Sequence, residues 1–410
     1  MNRKHGERRP WDVVLFGATG FVGALTAAYL AANAPTGLRW ALAGRSRSKL
    51  EGLRAELAAI APGCADLPLL EADADDSEAL AELAASARVV ATTVGPYIRF
   101  GGKLVAACAE AGTDYVDLTG EPEFIDRAYL DHDARARETG ARLVHACGFD
   151  SVPHDLGAYF TVHQLPEDVP LSVDGFVRTH AAFSGGTFAS ALTALGRGPQ
   201  MLAAARERRL YEPRPVGRRV RTPLGAPHYS GATGAWALPL PTVDPAVVGR
   251  SARALQRYGP DFRYRHFASV RTLPVAVGAP VAAGALVAAA QVQGVREWLR
   301  QRYGSDRGPD ERRRERSWFT VRFVGEGGGR RVFTEVAGGD PGYGETAKIL
   351  AESAMCLALD ALPQSSGQVT PAVAMGDALL GRLRTAGLRF RVAAVLPTRS
   401  GTAKSGAARL

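Results

Sequence analysis

Val13-Val14-Leu15-Phe16-Gly17-Ala18-Thr19-Gly20-Phe21-Val22-Gly23 is the stretch on which the fold turns. Its four leading apolar residues predict a buried strand, and an Ala/Leu-rich run to Ala32 predicts a helix. Between them three glycines fall at spacing three. In a dinucleotide-binding turn they play distinct parts. Gly17 allows the tight turn, Gly20 lets a pyrophosphate approach the backbone, and Gly23 lets helix pack on strand. Backbone N–H groups from Thr19 through Val22, Phe21 included, then face the phosphates, helped by the helix dipole. A glycine triplet alone is weak evidence; placed after an apolar strand and before a long helix, it is the expected context. The spacing is Gly-x-x-Gly-x-x-Gly, which short-chain dehydrogenases also use. Those enzymes need a Tyr-x-x-x-Lys pair, and no tyrosine here has a lysine four residues later.

Leu38–Ala43 predicts a second strand, and Gly44-Arg45-Ser46-Arg47-Ser48-Lys49 follows it, with no carboxylate before Glu51. An acidic residue at this strand end accepts from a ribose 2′-OH; a basic one accommodates a 2′-phosphate. Arg45 and Ser46 therefore predict NADP(H). Cations at a helix start oppose its dipole, which a bound phosphate would offset. Helix and strand go on alternating: helix 50–60, strand 67–72 running into Asp73, helix 77–86, strand 89–94 ending in Gly95-Pro96-Tyr97, helix 103–111 and strand 141–146. This predicts an α/β fold, a Rossmann-type doubly wound parallel sheet. Ligands bind outside the carboxyl ends of such strands, so Asp73, Gly95 and Pro96 belong to the expected cofactor site.

With 410 residues the chain is long enough for two domains. Four scattered cysteines without a Cys-x-x-Cys argue against a cysteine metal site and for reduced cytoplasmic thiols. The basic start, residues 1–10, reads as a disordered arm, because the glycines interrupt any signal-peptide core. Basic runs at 206–221 and 312–316 carry much of the +9 charge. Nucleic acid is not expected as a partner, since no stacking aromatics interleave them. A solvated loop, or docking of an acidic carrier domain or membrane surface, is the reading.

Further motifs follow in order: Ala43-Gly44-Arg45-Ser46, Val94-Gly95-Pro96-Tyr97, Tyr115-Val116-Asp117-Leu118-Thr119-Gly120-Glu121 and Cys147-Gly148-Phe149-Asp150-Ser151-Val152-Pro153. With the glycine turn, and with Asp340-Pro341-Gly342-Tyr343-Gly344-Glu345-Thr346-Ala347-Lys348, they resemble the saccharopine dehydrogenase-like oxidoreductases. Within these the chain looks closest to the trans-acting enoyl reductases of actinobacterial lipid synthesis. The resemblance implies an NADP-binding domain over 11–157 and a second, mixed α/β domain over 158–340. It also implies C-terminal helices over 341–392 that pack back on the first domain; 393–410 reads as a disordered tail. Within the second part, Val169–His180 alternates like a strand, Ser184–Leu195 reads as a helix, and 317–337 as a hairpin around Gly325–Gly329.

One stretch stands apart. Residues 273–292 are almost wholly apolar, with Pro274, Gly278, Pro280 and Gly284 inside and arginines on both flanks. A buried helix pair, an interfacial element in peripheral contact with a membrane, and a true span are all compatible with that composition.

The chemistry expected is hydride transfer from NADPH to the β-carbon of an enoyl thioester, on a lipid or polyketide intermediate that a carrier protein could hold. The carbonyl oxygen then needs hydrogen-bond donors and the α-carbon needs an acid. Tyr97, Ser151 and N–H groups near Gly148 are the candidate donors; Asp150 and His154 are candidate proton relays. Asp150 or Ser151 could equally cap the helix beginning near Pro153. No metal ligand set stands out. Reduction of a carbonyl or imine, and a non-catalytic lipid-surface protein that retains NADP, stay open as alternatives.

Overall fold

A computed structural model describes residues 9–181, 192–303 and 310–397. The first unit alternates strand and helix: β1 (Trp11–Phe16), α1 (Phe21–Asn33), β2 (Trp40–Gly44), α2 (Arg47–Ile60), β3 (Leu69–Glu71), α3 (Ser77–Ser86) and β4 (Ala87–Thr92). It goes on through α4 (Tyr97–Phe100), α5 (Gly102–Ala111), β5 (Asp114–Val116), α6 (Pro122–Thr139) and β6 (Arg142–Val144) to α7 (Val152–Val162). The second unit holds β7 (Leu171–His180), α8 (Gly198–Tyr211), β8 (Arg219–Arg221), β9 (His228–Ser230), β10 (Ala235–Pro239), α9 (Asp244–Ala254) and β11 (Asp261–Val270). Next come α10 (Leu273–Gln291), α11 (Gln293–Tyr303), α12 (Glu311–Glu315), β12 (Trp318–Gly327) and β13 (Arg330–Gly338). Then α13 (Gly344–Leu359), β14 (Gly367–Val369), α14 (Pro371–Ala374), α15 (Gly376–Thr385) and β15 (Arg389–Pro397) follow.

The first sheet is parallel throughout, in the order β14-β6-β5-β4-β1-β2-β3. Its first six strands follow the doubly wound order with β1 in the middle. Burial on both faces explains the unbroken apolar run of β1: Val13 and Leu15 join one core, Val14 and Phe16 the other. The fold class is therefore a Rossmann-type α/β sheet with a second, mixed-sheet domain. That second sheet runs β15-β13-β12-β7-β11-β10-β9, with β8 beside β11. β12 and β13 pair with Gly327 opposite Arg330, so Gly328 and Gly329 form a two-residue turn with φ of +53° and +74°.

Two expectations change here. The apolar stretch is not a buried pair: α10 is one helix whose Leu273, Val275, Val277, Val281 and Val287 are exposed. Residues 389–397 are not helix end and tail; they form β15, which pairs with β13. Of the expected arm and tail, 1–8 and 398–410 lie outside the described residues, as do 184–191 of the expected helix.

Candidate active site

The three glycines differ in their surroundings. Gly17 has φ +83°, and a Cβ there would lie 2.6 Å from Val94 Cγ2. A Cβ on Gly23 would lie 2.2 Å from the Gly17 carbonyl oxygen, so the helix sits flush on the turn. A Cβ on Gly20 would meet only Gly17 O, at 3.4 Å, with open space beyond. Thr19 and Gly20 are exposed, and the first backbone bond of α1 is Ala24 N–H to Gly20 O. The N–H groups of Phe21, Val22 and Gly23 precede that bond and stand at the positive end of the helix. The cradle thus fits a pyrophosphate.

At the end of β2, Arg45 is exposed and has no hydrogen bond or ion pair with a described residue. Ser46 instead caps α2, accepting from Lys49 N–H at 3.5 Å. Asp73 is exposed and folds its own turn, accepting from Asp75 N–H at 2.9 Å. A residue the sequence did not single out for the cofactor joins them. Arg314 of α12 lies 5.8 Å from the Phe21 ring, and its buried Nε has no partner among the described residues. Tyr343 packs edge-on against Phe21 at 4.9 Å, so the second unit reaches the start of α1.

β4 ends in a cis Gly95–Pro96 bond. The Glu121 carboxylate accepts from the N–H groups of Tyr97 and Ile98 at 3.0 and 2.8 Å and so pins this turn to the segment after β5. Tyr97 itself is buried: its hydroxyl donates to Thr92 O and accepts from Leu118 N–H, each at 3.2 Å. Burial first, then the nearby Asp117 charge, pushes its pKa well up. The hydroxyl is committed inside the first domain, which removes Tyr97 from the catalytic role expected of it; the residue braces the end of β4.

Beyond β6 the chain turns sharply. Ala146 has φ +59° and Ser151 φ +123°, a region costly for a side-chain-bearing residue. Ser151 stands at the start of α7 but makes no side-chain cap; its Oγ donates to Asp244 Oδ1 at 3.2 Å. Asp244 comes from α9, more than ninety residues on, and anchors a buried network. His154 Nδ1 stands 3.0 Å from its Oδ1 and His266 Nε2 3.6 Å from its Oδ2, while Thr242 Oγ1 donates to Oδ2. Tyr264 OH and His266 Nδ1 share a further bond of 2.9 Å.

Charge sets the protonation of this cluster. Burial alone would raise the Asp244 carboxyl, but His154, then His266 and the Thr242 hydroxyl hold it well below the usual range. Burial pulls His266 down to about 4 against the pull of Asp244. Burial, then repulsion from Asp244, lifts the half-buried Asp150 to about 6, with His154 opposing. Asp155 is lifted to about 7, by burial first; Ser251 Oγ and Ala372 N–H bond its two oxygens. Asp150 sits beside Gly120: a Cβ on that glycine would be 3.4 Å from Asp150 Oδ2.

Ligand atoms of His154, Asp244 and His266 lie within 4.8 Å of one another, a spacing a metal ion would accept. Both Asp244 oxygens already accept from hydroxyls, and Tyr264 occupies His266 Nδ1. Both ring nitrogens of His154 and Nε2 of His266 are buried without a hydrogen-bond partner among the described residues. Asp244 and His266 escaped the sequence because each meets His154 only through the tertiary fold. One signal existed: Phe262, Tyr264 and His266 share the buried face of β11.

The family model for the saccharopine dehydrogenase NADP binding domain matches residues 13–144. The glycine cradle and sheet order thus belong to an NADP-dependent oxidoreductase. A protein of Mycobacterium tuberculosis (strain ATCC 25618 / H37Rv), which bears the provisional name trans-acting enoyl reductase, is 40% identical over 93% of this chain and 97% of its own. The trans-acting enoyl reductase of Mycobacterium leprae (strain TN) is 37% identical over the same shares. The chain belongs to the trans-acting enoyl reductase family. The fold is shared with apo saccharopine dehydrogenase (L-Glu forming) from Saccharomyces cerevisiae: TM-score 0.53 and 13% identity over 93% of this chain and 99% of that one.

Proposed function

We propose that this enzyme reduces the C=C bond of an enoyl thioester borne on a lipid or polyketide intermediate. The observation carrying the mechanism is Asp150: a half-buried acid with pKa about 6, beside Gly120 and next to the Ser151–Asp244–His154 network. When bound, NADPH supplies the hydride that adds to the β-carbon. The N–H groups at the start of α1 would hold its phosphates, with Arg314 nearby, and Arg45, exposed after β2, would be available to a ribose 2′-phosphate. Asp150 in its protonated form delivers the proton to the α-carbon, and His154 restores it while Asp244 stabilises the imidazolium. Of the N–H groups near Gly148, those of Cys147 and Phe149 are already bonded, to Asp117 O and Thr346 Oγ1. The charge developing on the thioester oxygen therefore needs another donor than these or Tyr97.

The finer reading places the enzyme against a lipid surface. α10 is apolar on all sides and mostly exposed, a combination that in water calls for a partner. Arg271 before it and Arg302 after it suit anionic headgroups. A carrier-bound acyl chain is the substrate form such an enzyme would meet there.

The test is NADPH oxidation with a 2-enoyl thioester, with the product followed by a mass gain of two hydrogens. Asp150→Asn lowers turnover by ~100-fold or more and leaves NADPH affinity unchanged. Wild-type turnover falls as pH rises through about 6, because the protonated acid is lost. An Asp150→Asn enzyme that turns over like the wild type would overturn the assignment; a wild type inert toward every enoyl thioester would overturn the substrate class.

A further inference from the structure

A cavity of about 530 Å³ opens beside β14 at the edge of the first sheet, lined by His145 after β6, residues 364–366 before β14 and Thr370 after it. It lies on the face of α9 that presents Val247, Arg250 and Ala254, while Asp244 and Ser251 of the same helix turn toward α7. The β1 turn is three strands away from β6, roughly 14 Å along the sheet. This is not the dinucleotide cradle.

The wall is short of negative charge. Arg208, only 3% exposed, shares two carboxylates with its neighbours. Glu212 accepts from Arg208, Arg250 and Arg253 at 2.9, 3.3 and 3.5 Å; Asp126 accepts from Arg208 and Arg250 at 3.2 and 2.6 Å. Arg214 also lines the cavity and has no ion pair with a described residue. Burial, then repulsion from Arg250, pulls the Arg208 guanidinium down to about 10. Hydrogen-bond partners are lacking as well. His145 is buried, with Nδ1 engaged 2.6 Å from Asp117 Oδ2, and its Nε2 has no partner among the described residues. Ser365 Oγ on the same wall is likewise buried and unpartnered among them. Buried polar atoms of this kind are rare unless something satisfies them.

We infer that this cavity binds a phosphate monoester, with the phosphate among Arg250, Arg253 and Arg214 and the organic part against Ile125, Val247 and Val369. Arg208, Arg250, Arg253 and Arg214 have only Asp126 and Glu212 between them, so a dianion supplies the charge this group lacks, and forked guanidinium donors match its oxygens. One further oxygen accepts from Ser365 Oγ. The volume is that of a small-molecule site, with apolar walls and a few convergent polar groups. Asp117 ties this wall to the turns after β5 and β6, holding His145 on one oxygen and the N–H groups of Thr119 and Ala146 on the other.

The experiment titrates the full chain, saturated with NADP⁺ so that the glycine turn is filled, with inorganic phosphate and phenyl phosphate by calorimetry. Phenol is the neutral control, and potassium chloride matches ionic strength. Phenyl phosphate binds one site per chain and phenol gives no heat. Arg253→Gln and Arg214→Gln each weaken it ~10-fold. Arg214 is exposed and unpaired among the described residues, so a melting curve unchanged in Arg214→Gln separates lost binding from lost fold. The inference is overturned if the NADP⁺-saturated wild type takes up no phosphate ester, or if both variants bind it as the wild type does. NADPH affinity and enoyl turnover are read independently, so failure here leaves the proposed reaction standing.

Discussion

Gly20 and Gly23 are three residues apart and should fail in opposite ways when substituted. Gly20 has φ −74° and ψ 163°, extended backbone that valine adopts readily, and its side facing away from Gly17 is open. Gly20→Val therefore melts like the wild type but loses NADPH affinity by ~100-fold or more, as read by fluorescence titration. Gly23→Ala drives a methyl into the Gly17 carbonyl and costs about 3 kcal/mol in a urea melt. Asp155 gives a pH test. Its folded pKa of about 7 lies above the ordinary carboxyl value, so between about pH 4 and 7 the folded state holds more protons than the unfolded one. Its contribution thus falls as pH rises through that window and levels off above it. Asp155→Asn keeps both bonding roles by donating to Ser251 and accepting from Ala372. The wild-type minus Asp155→Asn stability difference should decline from pH 4 to 7; a flat difference counts against the shift. The tight turn at Gly17 and the close packing at Gly23 were legible in the sequence because they are properties of local backbone. Tyr97 was misread because burial beneath Leu118 is set by where β5 lands, and no spacing encodes that.

Among the elements, α10 separates composition from context most clearly. Its apolar run was plain in the sequence, yet a buried helix and a lipid-facing one are written in the same residues. Only its surroundings distinguish them, and among the described residues little of this helix is covered. Val277 and Val281 are 62% and 71% exposed. Changing both to aspartate leaves the melting temperature within about a degree, since surface substitutions shift stability by under ~0.5 kcal/mol. It also abolishes sedimentation with anionic vesicles if this helix is the membrane contact; retained sedimentation refutes that. The hairpin of β12 and β13 was easier to read, since adjacent glycines between alternating strands leave few other conformations. β15 was missed because Arg389–Pro397 carries alternating arginines that look solvated, although Arg391 bonds Glu335 across the strand pair.

At the scale of the molecule, the two units meet through chemistry as well as packing. Asp244 is the second unit's hold on Ser151 and His154, so Asp244→Ala leaves that cluster without its anion. A loss of about 3–5 kcal/mol in denaturant unfolding is expected, the usual cost of breaking a buried pair. A variant as stable as the wild type would show the junction to be held by packing alone. Sheet order also has a temporal side. β6 waits for β14 and β13 waits for β15, so each sheet receives its outermost strand from residues 367–397. On a ribosome adding ~5–20 residues per second, β6 emerges roughly ten seconds to most of a minute before β14 exists. For that interval the nascent enzyme carries an unpaired strand edge, the feature on which aggregation and chaperone capture act.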